Sequence, residues 1–199
     1  MSNKTAVVIL NWNGVNHLRT YLPSVIQYSD SASIYVADNA STDDSIKVLK
    51  DEFPKVKLII NKENGGFAKG YNDALKNLEE EYFILLNSDV EVTNNWINPI
   101  IDYFEENDSC AIAQPKIKAY LQKDEFEYAG AAGGFIDYLG YPFCQGRLFQ
   151  SMEKDLGQYE TRKEVFWASG ACMFIRSSVF KKLGGFDINY FAHMEEIDL

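Results

Sequence analysis

Tyr82-Phe83-Ile84-Leu85-Leu86-Asn87-Ser88-Asp89 is a run of five apolar residues closed by a polar, acidic tip. An apolar run of that length without alternation reads as a strand buried on both faces, as in a parallel sheet covered by helices on either side. Two other stretches end the same way: Ile34-Tyr-Val-Ala runs into Asp38-Asn39, and a late aromatic stretch runs into Glu195-Glu196-Ile197-Asp198. In an open parallel sheet the carboxyl ends of the strands lie along one edge, and ligands bind there. Three acidic tips on that edge form one expected site. It suits a diphosphate that arrives with a divalent metal, together with a base for proton abstraction.

Outward from this strand, β-rich and helical patterns alternate, which predicts α/β layering. Ala6–Leu10 reads as a strand and His17–Gln27 as a helix, with Leu18, Leu22, Val25 and Ile26 near helical spacing. Ile34–Ala37 is a second strand. Ser41-Thr42-Asp43-Asp44 starts a helix that Pro54 stops, and Lys57–Ile60 is a third strand. Asn64-Gly65-Gly66 turns into a helix over about Phe67–Leu78. After the Asp89 tip the pattern predicts a helix over Asn94–Glu105 and a strand over Cys110–Lys118. A long Gly- and aromatic-rich loop follows over Glu127–Gly146, then a strand over Val165–Ile175 and a helix over Ser177–Leu183 stopped by Gly184-Gly185. A last helix beginning near Met194 is cut in its first turn at Leu199, which reads as a fragment of a longer protein.

Composition sets outer limits. With 199 residues, 46% of them hydrophobic, the chain fits one domain with a sizeable core. No apolar stretch approaches the roughly 18 residues of a membrane span, and the start lacks the basic and then apolar pattern of a secretory signal, so a cytoplasmic location is expected. Cys110, Cys144 and Cys172 are odd in number and widely spaced, which suggests neither a disulfide framework nor a zinc site. Nineteen basic against 29 acidic residues give a net charge of −10, which repels nucleic acid. An anionic nucleotide then needs a local remedy, either metal ions or N–H groups at helix N-termini.

Ordered motifs carry a resemblance. Val7-Val-Ile-Leu-Asn-Trp-Asn13, Ala37-Asp-Asn-Ala-Ser-Thr-Asp-Asp-Ser45, Asn64-Gly-Gly-Phe-Ala-Lys-Gly-Tyr-Asn72 and Leu85-Leu-Asn-Ser-Asp89 come first. Ser169-Gly-Ala-Cys-Met-Phe-Ile-Arg176, Gly184-Gly-Phe-Asp187 and Glu195-Glu-Ile-Asp-Leu199 follow. In this order, over nearly the whole chain, they resemble the family-2 glycosyltransferases, and within them the bacterial rhamnosyltransferase-like branch that builds surface polysaccharide.

The resemblance implies a single GT-A domain, with a nucleotide-sugar-binding part over about residues 1–118 and an incomplete acceptor and catalytic part over about 119–199. It implies a UDP- or dTDP-sugar donor, Mg²⁺ or Mn²⁺, transfer with inversion, and a glycan or lipid-linked glycan acceptor. The protein would then work in the cytoplasm at the inner face of the membrane, by peripheral association. Carried onto this chain, Asp38 contacts the nucleotide base, and Asp89 holds ribose and metal. Asn11, Asn39, Gly66, Asn72, Asn87 and Ser88 complete the expected nucleotide-sugar contacts, and Trp167 and Gly170 are acceptor-side candidates whose competing role is packing. The late acidic pair supplies the general base, here Glu196 with Glu195 as the alternative, and Glu195 and Asp198 nearby are expected to raise its pKa. Two departures stand out: Glu196 replaces the family's Asp, and Asn87 replaces the first Asp of the metal motif, leaving one protein carboxylate beside phosphate oxygens and water.

Rival readings fit less well. A dinucleotide-dependent oxidoreductase wants G-x-G-x-x-G after the first strand, whereas Leu10-Asn-Trp-Asn-Gly14 offers one glycine. A sugar-1-phosphate nucleotidyltransferase wants a basic first loop, and Asn11 to Asn16 has no Lys or Arg. The runner-up is a nucleotide-sugar-binding module without transfer activity.

Overall fold

The computed structural model describes residues 3–199. Its centre is a six-stranded sheet, built from β1 (Thr5–Asn11), β2 (Ala32–Asp38), β3 (Lys57–Ile60), β4 (Tyr82–Asn87), β5 (Ile112–Ala113) and β10 (Cys172–Arg176), in the order β3-β2-β1-β4-β10-β5. The first four strands pair in parallel, with Asn11 opposite Asp38 and Leu10 opposite Asn87. The carboxyl ends of β1, β2 and β4 are therefore level along one edge. Strand order reverses at β1, and this switch opens a crevice between the ends of β1 and β4.

Alternation along each strand sends side chains to two cores. Val7 and Ile9 of β1, Ile84 and Leu86 of β4 and Phe174 of β10 join Leu18, Leu22 and Val25 of α1 (Val15–Tyr28), Leu49 of α2 (Ser45–Glu52) and Phe104 of α4 (Asn98–Glu106). Ala6 and Val8, Phe83 and Leu85, Met173 and Ile175 face the other way. They meet Ala68, Tyr71, Ala74 and Leu75 of α3 (Gly66–Leu75) and Phe180 of α5 (Ser177–Leu183). The i, i+4, i+7 spacing of Leu18, Leu22 and Val25 puts these residues on one stripe of α1, and burying such a side chain contributes about 1.5–3 kcal/mol. Tyr71 is wholly buried, and its hydroxyl donates to the Leu86 carbonyl at 3.1 Å, where it takes up a polar group beneath the β4 tip. Arg176 closes the far side, with Nε donating to Cys110 O at 2.8 Å and Nη2 to Phe104 O at 2.5 Å, so a cation meets the carboxyl end of α4.

The structure departs from the sequence expectation in several places. β10 runs antiparallel to β4 and to β5, because the chain enters it from the crevice edge, where the Asn87 N–H donates to Ala171 O at 3.0 Å. The strand expected over Cys110–Lys118 shrinks to two residues: the Gln114 side chain instead donates to Gly130 O and accepts from Ser169 N, and Pro115 has no N–H to give. The strand expected over Val165–Ile175 begins only at Cys172, since Trp167 is drawn away to pair with Gly134. That pairing belongs to a hairpin, β6 (Gly134–Ile136) with β7 (Pro142–Cys144), inside the stretch expected to be a loop. A second short hairpin follows, β8 (Arg147–Leu148) with β9 (Ser151–Met152). The helix expected from Asn94 starts at Asn98, after Asn95 takes a left-handed φ of 57°.

The hairpin region is pinned by charge. Asp155 accepts from Lys116 Nζ at 3.0 Å and lies 3.1 Å from Lys118 Nζ, and these bonds lower its pKa to about 2. A carboxylate whose folded pKa is depressed contributes stability that is present above its unfolded value and lost as pH falls through the folded one. The protection of amides over residues 116–160, taken relative to their intrinsic exchange rates at each pH, should therefore fall as pH drops from about 4 towards 2, and Asp155→Asn should lower that protection at neutral pH and flatten this dependence. An unchanged pH profile in the variant would contradict the role given to this cluster.

Candidate functional site

Two loops rise from the level strand ends and are laced together. Asp38 ends β2 with no exposed surface: one carboxylate oxygen accepts from Asn11 Nδ2 at 3.1 Å and the other from the Ser41 N–H at 2.9 Å. The Ser41 hydroxyl accepts from the Asn13 N–H at 2.8 Å, and the Asn13 side-chain oxygen accepts from the Thr42 N–H at 2.7 Å. Asn13 takes a left-handed φ of 49°, a conformation that asparagine tolerates well. Sequence reasoning did not single out Asn13 or Ser41 as parts of this wall. In the structure, Asp38 acts on the crevice through these partners.

Asn11 is also buried, and its Oδ1 has no hydrogen-bond partner. It faces Gly14: a Cβ there would lie 2.4 Å from Asn11 Oδ1 and 3.7 Å from Ser88 Oγ. The unpartnered acceptor is thus closed off from solvent against the bare backbone of Gly14, with the Ser88 hydroxyl nearby, where the ends of β1 and β4 lie side by side. Asn87 and Ser88 are half-buried there and Asp89 is exposed at the tip. Among the described residues no three His, Cys, Asp or Glu side chains gather as a metal cage. The donor set at this tip is one accessible carboxylate, which fits an ion that takes its remaining ligands from phosphate oxygens and water, as Mg²⁺ prefers.

The amides on the other side of the crevice are employed within the protein. Asn39 donates to Asn64 Oδ1 at 2.8 Å and to Gly66 O at 3.0 Å, and accepts from Asn61 Nδ2 at 3.0 Å. Asn72 grips the backbone of Phe186 at both ends, Nδ2 donating to its carbonyl at 2.8 Å and Oδ1 accepting from its N–H at 2.9 Å. Gly66 has φ 75°, and a Cβ there would lie 2.1 Å from the Phe191 carbonyl, which accepts from the Phe67 N–H at 2.7 Å. The first N–H groups of α3 are thereby engaged by Asn64 and Phe191, so the remedy expected for a phosphate at a helix N-terminus is taken up here by the protein itself.

This docking carries the late carboxylates. Residues 187–194 form no strand, so the late acidic residues follow a loop and do not stand at the end of a sheet strand as expected. His193 and Met194 both take left-handed φ values, 74° and 76°, immediately before the short helix α6 (Glu195–Asp198). Such strained positions cost of order 1–3 kcal/mol each and persist where surrounding contacts over-determine them. Glu195 is buried with an unpartnered Oε2, and burial, reinforced by the nearby charge of Glu196, raises its pKa. Glu196 is half-buried and also has one closed-off oxygen without a partner. Of the acidic pair, Glu195 is the one enclosed in the protein.

Trp167 and Gly170 sit behind the rim. Trp167 is buried, its indole N–H donates to Phe135 O at 3.0 Å, and its ring covers Gly134. Gly170 leaves room for the Phe67 ring, which a Cβ would meet at 2.8 Å. Packing accounts for both.

Against this geometry, the family described as Glycosyl transferase family 2 matches residues 6–184. The N-acetylglucosaminyl-diphospho-decaprenol L-rhamnosyltransferase of Mycobacterium tuberculosis is 26% identical over 218 residues, covering all of this chain and 70% of that protein. Among solved structures, GalNAc-T7 with UDP, GalNAc and Mn²⁺ superposes with a TM-score of 0.72 at 19% identity, over 98% of this chain and 39% of that one. A mannosyltransferase from Pyrobaculum calidifontis in complex with GDP-Man and Mn²⁺ gives 0.63 at 16% identity, over 99% and 50%. The two solved likenesses establish the GT-A fold, and this chain spans half of their length or less.

A buried acid with a raised pKa lowers stability as pH climbs above its unfolded value, because the folded state then holds a proton that the unfolded state has released. Glu195→Gln removes that penalty. The Tm difference between variant and wild type should therefore grow in the variant's favour as pH rises above about 4, and level off once the folded carboxyl itself ionises. A difference that stays constant with pH would show that Glu195 ionises as freely as in the unfolded chain.

Proposed function

We propose, on the premise that this chain belongs to glycosyl transferase family 2 and is a glycosyltransferase, that it moves a sugar from a UDP- or dTDP-sugar to a hydroxyl of a lipid-linked glycan, with inversion and with Mg²⁺ or Mn²⁺ bound. The observation that carries this reading is the edge at β1 and β4, where Gly14 stands against the unpartnered Asn11 Oδ1 beside Ser88 at the sheet's switch point and Asp89 follows as an exposed carboxylate. The lipid-linked acceptor is suggested by the mycobacterial relative, named for a diphospho-decaprenol substrate, and the metal by the two Mn²⁺-containing structures. No helix among the described residues is long and apolar enough to cross a membrane, and the proposed place of action is the inner face of the membrane, where a lipid-linked acceptor is met.

In this reading residues of about 1–118 hold the donor. Asp38 keeps Asn11 and the Ser41 loop in place as the wall for the base, Asn39 and Gly66 shape the opposite wall, and Asn72 holds the Phe186 loop. Asn87 and Ser88 border the ribose and Asp89 would hold the metal, which supplies Lewis-acid stabilisation of the departing diphosphate. Residues from about 119 onward face the acceptor. Glu196 takes the proton from the attacking hydroxyl: of the paired carboxylates it is the less buried, and so the one an incoming group reaches first.

In the full-length enzyme, Glu196→Gln should leave donor affinity near wild type while kcat falls by about 10²-fold or more, the lower edge of general base catalysis. Glu195→Gln should do less, and the opposite ranking would move the base to Glu195. Asp89→Ala should abolish the Mn²⁺-dependent part of UDP and dTDP affinity in titration calorimetry with the fold intact. Metal-dependent affinity that survives in Asp89→Ala would remove Asp89 from the metal site.

A further inference from the structure

The β6–β7 hairpin presents apolar side chains where solvent contact is greatest. At its tip Tyr138 is 94% exposed, Leu139 64% and Tyr141 68%, with Phe143 on the adjoining strand 47% exposed. In a chain with 29 acidic residues, the eleven residues Gly134–Cys144 include one charged side chain, Asp137. That carboxylate is spent on the turn, where one oxygen accepts from the Leu139 N–H at 2.8 Å and the Tyr141 N–H at 2.9 Å. The Asp137 N–H donates to Tyr141 O and the Gly140 N–H to Asp137 O, both at 3.0 Å, with Gly140 at φ 87°. Four of the turn's N–H groups are therefore satisfied inside the hairpin, and what projects outward is apolar or aromatic.

These properties together select the occupant. A protein groove would need shape complementarity that a convex tip does not offer, and an added strand would need free N–H groups. A bilayer interface asks for the opposite: backbone groups paired within the segment, tyrosine and leucine at the headgroup level, and a cation beside them. Lys163 supplies that cation, with Nζ 4.8 Å from the Phe135 ring centroid, and Phe135 stacks on Phe143 at 5.7 Å. The aliphatic stem of such a lysine covers apolar surface while its ammonium group reaches phosphates. We infer that the β6–β7 tip is a membrane-docking element that enters the headgroup region of an anionic bilayer through Tyr138, Leu139 and Tyr141, with Lys163 at the phosphates.

The hairpin is fixed to the candidate site. Its base pairs with Trp167, and Cys144 and Trp167 belong to the same cluster against which Ile197 of α6 packs. A tip seated in lipid thus sets the height of Glu195 and Glu196 above the bilayer. The inference rests on the lipid-linked acceptor proposed above for its purpose, while the docking itself is tested without any acceptor.

The full-length protein is sedimented with vesicles of phosphatidylglycerol and phosphatidylethanolamine, beside a Tyr138→Ser, Leu139→Ser, Tyr141→Ser triple variant. The wild type should partition onto the vesicles and the variant at least about tenfold less, as expected for the loss of three inserted side chains. A Leu139→Trp variant should be quenched by brominated lipid. UDP affinity with Mn²⁺, measured in parallel, should be equal in wild type and triple variant, and its absence in both bears on the donor reading alone. The inference is overturned by a wild type that stays in the supernatant, by equal partition of the triple variant, or by an unquenched Leu139→Trp. Self-association of the wild type through the tip without vesicle binding overturns it in favour of a second copy as occupant.

Discussion

The Phe191 carbonyl resting on the amino end of α3 is the contact on which the rest of the site depends. It accepts from the Phe67 N–H at 2.7 Å, in a space that exists because Gly66 has no side chain. Asn72, one and a half turns along the same helix, holds the backbone of Phe186 at both its polar groups. These two grips bring residues 186–191 onto α3, and the short path through His193 and Met194 leads from there into α6 with Glu195 and Glu196. The left-handed backbone at both intervening residues is tolerated because the chain is tied down before them and Ile197 is packed after them.

The platform beneath is a matter of two-sided burial. β4 sends alternate side chains into two cores, so it cannot shift without opening both, and its tip is held at a fixed height against the ends of β1 and β2. At that height the apolar requirement ends and polar residues become affordable. Asn11 and Asp38 lie buried there as a bonded pair, and the leftover acceptor on Asn11 faces Gly14. An unpaired buried acceptor costs about 1–3 kcal/mol, which a donor group on a bound ligand would relieve. In a chain of net charge −10, the metal proposed at Asp89 would offset the charge of the proposed diphosphate.

Much of this was legible in the sequence because it rests on local pattern. Tyr82–Leu86 declared a central strand by its unbroken apolar run, and Lys57–Ile60 and Ser177–Leu183 have the bounds that periodicity and stop signals indicate. What escaped depends on distant partners. Nothing local in Cys172–Arg176 says that it runs antiparallel, since that follows from Ala171 meeting Asn87 across the fold. The hairpin at Gly134–Cys144 looked like a loop because its strands are three residues each and are held by Trp167, far along the chain. Asn39 and Asn72 carry the residue type of a ligand contact, and only the structure shows their amides bonded to Asn64, Asn61 and Phe186. Single-residue chemistry named the candidates, and packing decided which of them face the crevice.

The claim that α3 docking positions the late carboxylates is tested most directly by amide hydrogen exchange in Gly66→Ala. A Cβ at that position would stand 2.1 Å from the Phe191 carbonyl, on a backbone conformation that costs an L-residue roughly 1–2 kcal/mol. The account predicts faster exchange at Phe67 and throughout residues 194–199, with the amides of β1 and β4 as protected as in the wild type. Unchanged protection over residues 194–199 would contradict it, and would mean that α6 is held at the rim by something other than the seat of Phe191 on α3.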